Sequence, residues 1–417
     1  MSAESPYAVL RHADYRRFLG GNLLALFGSQ MQTVAVGWEL YERTGKSLDL
    51  GLVGLAQVIP FIALALPAGQ VIDHFDRRKV IFGSLVTFMI CSIGLAAVSL
   101  TKAPVEWVYF WLVVNGAARA FHQPAKSAML PSLIPAEEFT SAVTWSTSGF
   151  QLATIVGPGL GGLVIAWTKV AHWVYWIDAV LVLFFMVQLL RIAPRPMKNE
   201  RQPVTLRTLL GGVSFVWRTK IVLAALSLDM FAVLLGGATA LLPVYAKDIL
   251  QSGPETLGWL RAAPGAGALV VSFFLAHSTP IRRAGPVLLW SVAGFGIATI
   301  VFGISRNFWL AWTMLLLTGG LDMISVIIRH TLVQTATPDE MRGRVSAVNG
   351  LFISISNEMG AFESGAVAYL FASAVDPTFG PTVSVVSGGV GTIVVVLITA
   401  ALVPSLRRYG KLGGPTD

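Results

Sequence analysis

Apolar residues fall along the chain in twelve long runs separated by short polar stretches. Their approximate limits are 17–41, 48–72, 80–100, 105–125, 139–168, 170–192, 220–246, 255–277, 284–304, 307–333, 344–373 and 381–403. A helix needs about 20 residues to cross a hydrocarbon core of ~30 Å, so each run predicts one membrane-spanning helix. The fourth and tenth runs are the least clean, because each carries an arginine near one end, Arg119 and Arg329. The longest polar gap begins at Ala193, after the sixth run, and divides the spans six and six. The halves echo each other. Pro135 in IPAEEF and Pro338 in TPDEM both follow a fourth span, and Arg77-Arg78 and Arg282-Arg283 both follow a second. Matching landmarks in matching order predict an internal duplication. The expectation is an all-α membrane protein of twelve transmembrane helices in two pseudo-symmetric six-helix bundles. The N-terminal bundle covers 1–192, an inter-lobe linker 193–219, and a C-terminal bundle with a short tail 220–417.

Composition agrees with the pattern. Of 417 residues 54% are hydrophobic and only 12% charged, about half the ~25% charged share of an average soluble domain. The net charge of +8 raises the question of nucleic acid, which the placement of the charges answers. With the N-terminus inside, 23 of the 30 basic residues fall on the inner side and 7 on the outer. That bias is the positive-inside rule, and it predicts both termini in the cytoplasm. No nucleic acid is needed to explain it. A single cysteine, Cys91, excludes an intramolecular disulfide and a multi-cysteine metal site. The six histidines show no HExxH spacing, so neither metal nor cofactor is expected. The chain shows no nucleophile–base pair or phosphate-binding loop, so an enzyme is not expected. The opening MSAESPYAVLRHADYRRF does not read as a cleaved secretory signal.

Three motifs carry chemistry or mechanics. Between runs two and three lies GQVIDHFDRRK. Its Gly69 would permit close helix approach, Asp73 can cap or approach a neighbouring helix N-terminus, Asp76 follows at fixed spacing, and Arg77 and Arg78 supply an interfacial cluster. An ordinary positive-inside turn would account for the arginines but not for the spaced glycine and acids. The stretch resembles the loop signature of the major facilitator superfamily, with His74 where a basic residue is usual and Asp76 where glycine is usual. Its second-half counterpart, HSTPIRRAG, has no acidic residue, so a gating role falls on the first half. Run five holds GFQLATIVGPGLGG, with Gly157, Pro158, Gly161 and Gly162. It satisfies GxGxxG, but no strand precedes it, which sets the dinucleotide reading aside. It is similar instead to the fifth-helix glycine–proline motif of exporters in that superfamily, a helix-packing device. The stretch from Leu321 to Gly365 and the closing GGVGTIVVV…PSLRR are similar to the enterobactin-exporter-like branch.

The resemblance covers essentially the whole chain. It implies two six-helix bundles, a central cavity lined by helices one, four, seven and ten, and alternating access. It further implies export of a siderophore or an amphipathic drug-like compound from a bacterial cytoplasmic (inner) membrane. The expected partners are a small-molecule substrate, protons and the lipid bilayer, and a monomer is expected. A lipid or lysolipid transporter or scramblase, and an importer of the same fold, remain open on the sequence.

Acids inside the spans are the candidate working groups, because an ionised side chain at the bilayer centre costs about 3 kcal/mol or more. Asp229, Asp322, Glu358 and Glu363 are the candidates for proton coupling. Arg119, Asp229 and Asp322 are the candidates for the substrate cavity, on helices the resemblance places there. Glu358 falls about 20 Å along run eleven, and Glu363 is rotated about 140° from it, so the two face different surroundings. Each acid could instead hold helices together by bonding Asn357, Ser325 or an arginine. Glu39, near the outer end of run one, and Asp178, on a helix the resemblance makes peripheral, read as structural.

Overall fold

A computed structural model describes residues 7–193, 206–277, 283–373 and 376–410. Among them are twelve long helices and no strand. The first six are α1 (Ala13–Thr44), α2 (Ser47–His74), α3 (Arg77–Thr101), α4 (Glu106–Met129), α5 (Phe139–Thr168) and α6 (His172–Leu190). The second six are α7 (Lys220–Leu235), α8 (Pro254–Ala276), α9 (Ala284–Ile304), α10 (Phe308–Ala336), α11 (Asp339–Leu370) and α12 (Phe379–Leu402). Nine stretches of described residues are long and apolar enough to cross a membrane; those of α1, α4 and α11 are more polar. The bundles turn large apolar side chains outward, such as Phe273 and Phe274 on α8 and Leu397 on α12. A surface of that kind is covered by lipid, not water. The chain is a multi-pass membrane protein.

Two compact units divide the chain: Met1–Arg43 with Ala56–Val204, and Thr44–Leu55 with Thr205–Asp417. In the first, Tyr15, Phe18, Ile81, Leu85, Phe185 and Leu189 form a core. Tyr15, buried within it, donates its hydroxyl proton to the Ala142 carbonyl at 2.9 Å. In the second, Val222, Leu226, Leu288, Ile328, Leu332 and Val345 play the same part. The internal duplication is visible in the packing. α3 contacts α4 and α6, and α9 contacts α10 and α12 in the same pattern. A close backbone crossing of Gly116 on α4 over Gln57 on α2 recurs as Gly319 on α10 over Pro264 on α8.

The expected linker is only partly described. Residues 194–205 lie outside the described residues, and Leu206–Arg218 is a short amphipathic helix. It packs on α11, placing Val216 in the second unit's core and leaving Trp217 exposed. The seventh run departs from its expected single helix. α7 stops at Leu235, followed by Gly236 and Gly237, a 3-10 turn at Ala238–Leu241 and a π-helical turn at Tyr245–Ile249. Paired glycines and Pro243 weaken the helix there. The break is packed backbone to backbone: a Cβ on Gly237 would lie 2.7 Å from the Gly360 carbonyl of α11.

Candidate functional site

Two charged residues of the second unit are buried on α7 and α10. Asp229 on α7 is 7% exposed and Arg329 on α10 only 2%, and the two form an ion pair. Arg329 is therefore a buried partner of a carboxylate and not one of the interfacial positive charges that its place near the end of run ten suggested. Its Nε has no hydrogen-bond partner among the described residues. Asp322, earlier on the same helix, lies within electrostatic reach of both Asp229 and Arg329. The group therefore sets two carboxylates against one guanidinium. With both acids ionised it carries one net negative charge, and with one protonated it carries none. The break after Leu235 lies within two turns of Asp229 on the same element. Sequence reasoning missed that break and Arg329; the signals were the glycine pair Gly236-Gly237 and an arginine inside an apolar run.

Glu358 and Glu363 do face different surroundings. Glu358 lies within electrostatic reach of Arg261 on α8. Its Oε2 approaches α2, where a Cβ on Gly54 would come within 3.2 Å of it. Glu363, half-buried, bonds to Ser364, and its Oε2 is buried without a hydrogen-bond partner among the described residues. Small residues let α11 approach on two sides. Gly360 meets the Val233 and Leu234 carbonyls of α7, and Gly365 meets Ser47 and Gly51 of α2.

In the first unit, Arg119 on α4 donates to Gln57 Oε1 of α2 at 2.9 Å. The loop after α2 is committed to helix ends. Asp76 caps α3 by accepting from the Arg78 backbone N–H at 2.9 Å. Arg77 donates to the Ala128 carbonyl at 3.0 Å, and Arg78 to the Leu189 and Leu190 carbonyls at 3.0 and 2.7 Å. These arginines fill the orphan carbonyls at the ends of α4 and α6. The close approach expected at Gly69 is not made: a Cβ there would meet no described atom within 4 Å. The side chain of Asp73 lies outside the described residues. On α5 the glycine motif packs against α1, where a Cβ on Gly157 would lie 2.6 Å from Gln30 and one on Gly161 2.9 Å from Met31. Pro158 is buried within the same helix. An apolar cavity of about 540 Å³ lies between α2, α3 and α4, and among the described residues Lys79 is its one charged lining residue.

The two helical units share a matching internal packing. The sequence model of the major facilitator superfamily matches residues 18–361. The chain belongs to that superfamily. Its similarity to the enterobactin exporter EntS of Shigella boydii serotype 18 is 26% identity over 406 residues, covering 95% of this chain and 94% of the exporter. The EntS protein of Escherichia coli O1:K1 matches to the same extent. Among solved structures, a bacterial homologue of the human lysosomal transporter Spinster, inward-facing and unoccupied, superposes with a TM-score of 0.73 at 14% identity. It covers 95% of this chain and 97% of its own. The nucleoside transporter NupG gives a TM-score of 0.68 at 16% identity, covering 96% and 100%. These likenesses establish the fold, and membership of the superfamily makes this a transporter and not an enzyme.

Proposed function

We propose that this superfamily member exports a siderophore or another amphipathic drug-like compound by proton-coupled alternating access. The observation that carries the reading is the buried ion pair of Asp229 and Arg329 with the half-buried Asp322 within electrostatic reach of both. Its surplus carboxylate accepts and returns a proton, and the charge on the trio then alternates between neutral and negative. The unfilled Nε of Arg329 offers an anionic substrate group a donor at the same place. The full-length similarity to an enterobactin exporter supports the outward direction and the siderophore class. Arg119, tied to Gln57, serves as the first unit's cavity charge. Glu358 and Glu363 are further proton-coupling candidates, and the α2–α3 junction from Gly69 to Arg78 holds the gate. The excess of basic residues on one side supports a cytoplasmic-membrane location with both termini inside, and the protein works as a monomer.

The test is transport by purified protein in liposomes with an imposed pH gradient, offered catecholate siderophores and cationic dyes. The expected result is gradient-driven movement of one class, lost in Asp322→Asn. Movement of lysolipid in preference to either class would replace the reading with a lipid transporter. Transport indifferent to the gradient in wild type and variant alike would remove the proton coupling.

A further inference from the structure

A second acid is buried where no cation meets it. Asp178 on α6 is 3% exposed, less than Asp229, and no ion pair involving it occurs among the described residues. Its Oδ2 meets Ser92 of α3 and Gln32 of α1, the latter donating from Nε2 at 3.3 Å. Its Oδ1 has no hydrogen-bond partner among the described residues. That oxygen points at Gly28 of α1, where a Cβ would lie only 2.2 Å away. The three helices therefore meet at one carboxyl group, with α1 admitted so closely because residue 28 is glycine.

The hydrogens in this node can be counted. The Ser92 hydroxyl has one proton and two acceptors in reach, Asp178 Oδ2 and the Phe88 carbonyl at 3.0 Å. Gln32 Nε2 also donates to Ser92 Oγ at 3.0 Å. If Asp178 were ionised, the serine proton would have to leave Phe88, and Oδ1 would be a bare anionic oxygen with no donor. With a proton on Oδ2, Asp178 donates to Ser92 Oγ, Ser92 donates to Phe88, and Oδ1 is a neutral carbonyl oxygen. Both arrangements give every donor an acceptor, and only the second leaves no unpaired charge in hydrocarbon.

The titratable and charged groups around the node do not alter the count. Cys91 of α3, fully buried, lies within electrostatic reach. Further along α1, Glu39 is held by Arg43 at 3.6 Å and by the Tyr175 hydroxyl of α6 at 3.0 Å. On the other side, His122 of α4 is packed between the rings of Phe88 and Phe185, with Lys126 one turn beyond. None of these donates to Asp178.

We propose that Asp178 is a proton-binding site of the first unit, protonated while α1 lies against α6 and released when α1 withdraws. Gly28 and Gln32 are one turn apart on α1, so both leave the carboxyl together when that helix moves. Water then replaces them and the acid ionises. This site is separate from the Asp229–Arg329 pair and does not depend on which compound is carried.

Infrared difference spectroscopy on the purified full-length protein, titrated with pH, reads the proton directly. A protonated-carboxyl C=O band is expected in wild type and lost in Asp178→Asn. Ser92→Ala removes the acceptor of that proton and is expected to keep the band but move it to higher frequency. Cys91, the one cysteine, supplies a second readout through its alkylation by a small maleimide. Its labelling is expected to rise in wild type over the pH range where the band disappears, by more than in Asp178→Asn measured alongside. A band unchanged by Asp178→Asn, or one that Ser92→Ala does not move, overturns the assignment. Equal labelling profiles in wild type and Asp178→Asn overturn the link to the position of α1. Both readouts stand whether or not liposome transport succeeds.

Discussion

The two units answer one physical problem differently. In the second, Asp229 is buried against Arg329, and the charge of the acid is matched by a guanidinium on a neighbouring helix. In the first, Asp178 is buried more deeply with no ion pair among the described residues; its Oδ2 lies against Ser92 and Gln32, and its Oδ1 has no hydrogen-bond partner among them. An ion pair keeps both partners charged and fixes α7 against α10. A neutral acid fixes three helices with ordinary hydrogen bonds and loses its hold when the proton leaves. The first arrangement costs most when a partner is removed, the second when the proton or the tight approach of α1 is removed.

The largest effect should come from breaking the pair on one side. Arg329→Met leaves Asp229 buried and unmatched, and should lower stability by about 3–5 kcal/mol, measured as detergent-solubilised unfolding. Adding Asp229→Leu should restore most of that loss, since an apolar pair of similar volume tolerates the site. A single variant as stable as wild type would remove the contrast between the units. Next in size is Asp229→Asn, which leaves Arg329 with only Asp322 as a carboxylate within electrostatic reach and should cost about 2 kcal/mol. Asp178→Asn, by comparison, should cost less than about 1 kcal/mol, because an amide resembles the protonated acid in shape and charge. Equal losses in the two asparagine variants would show that Asp178 is ionised.

Gly28→Ala tests the close approach. The added methyl collides with Oδ1 and with the Asp178 backbone, so α1 must shift, at about 1–3 kcal/mol. The loss should shrink when Asp178→Ala is present, and an undiminished loss would place the strain elsewhere. The smallest effect belongs to an acid in water. Asp376, exposed before α12, accepts from the Thr378 hydroxyl at 2.7 Å and its backbone N–H at 2.8 Å. These bonds hold its carboxyl below the usual carboxylate range. The folded value is the lower one, so the stabilisation is present at neutral pH and lost as pH falls through that lowered range. Thr378→Ala should therefore shift Tm slightly at neutral pH and by less in strong acid, where only the bond from Arg306 to the Thr378 hydroxyl remains to be lost.

Several features could be read before any fold was known. The helix limits were visible because a lipid core demands about 20 apolar residues per crossing, and that demand is written in one dimension. Ala284–Ile304 matches its run at both ends, and Phe139–Thr168 does too. The glycine motif of α5 was visible as a packing surface because small residues at helical spacing have few other uses in hydrocarbon. The break after Leu235 was hidden inside a run whose hydropathy never falls, since a glycine pair is apolar enough to pass for span.

What the sequence by itself determined is the number and order of the spans, the duplication, and the rarity of charge within them. Only the tertiary structure decided which of those charges are matched. Arg329 looked interfacial because its depth was judged along its own helix, whereas its burial comes from Asp229 on another. Asp178 looked structural because the resemblance makes its helix peripheral, whereas the packing leaves it with no ion pair among the described residues and its proton as the remaining way to neutralise it. Hydropathy is a sum over neighbours along the chain; charge compensation depends on neighbours across helices, and those exist only once the helices are packed.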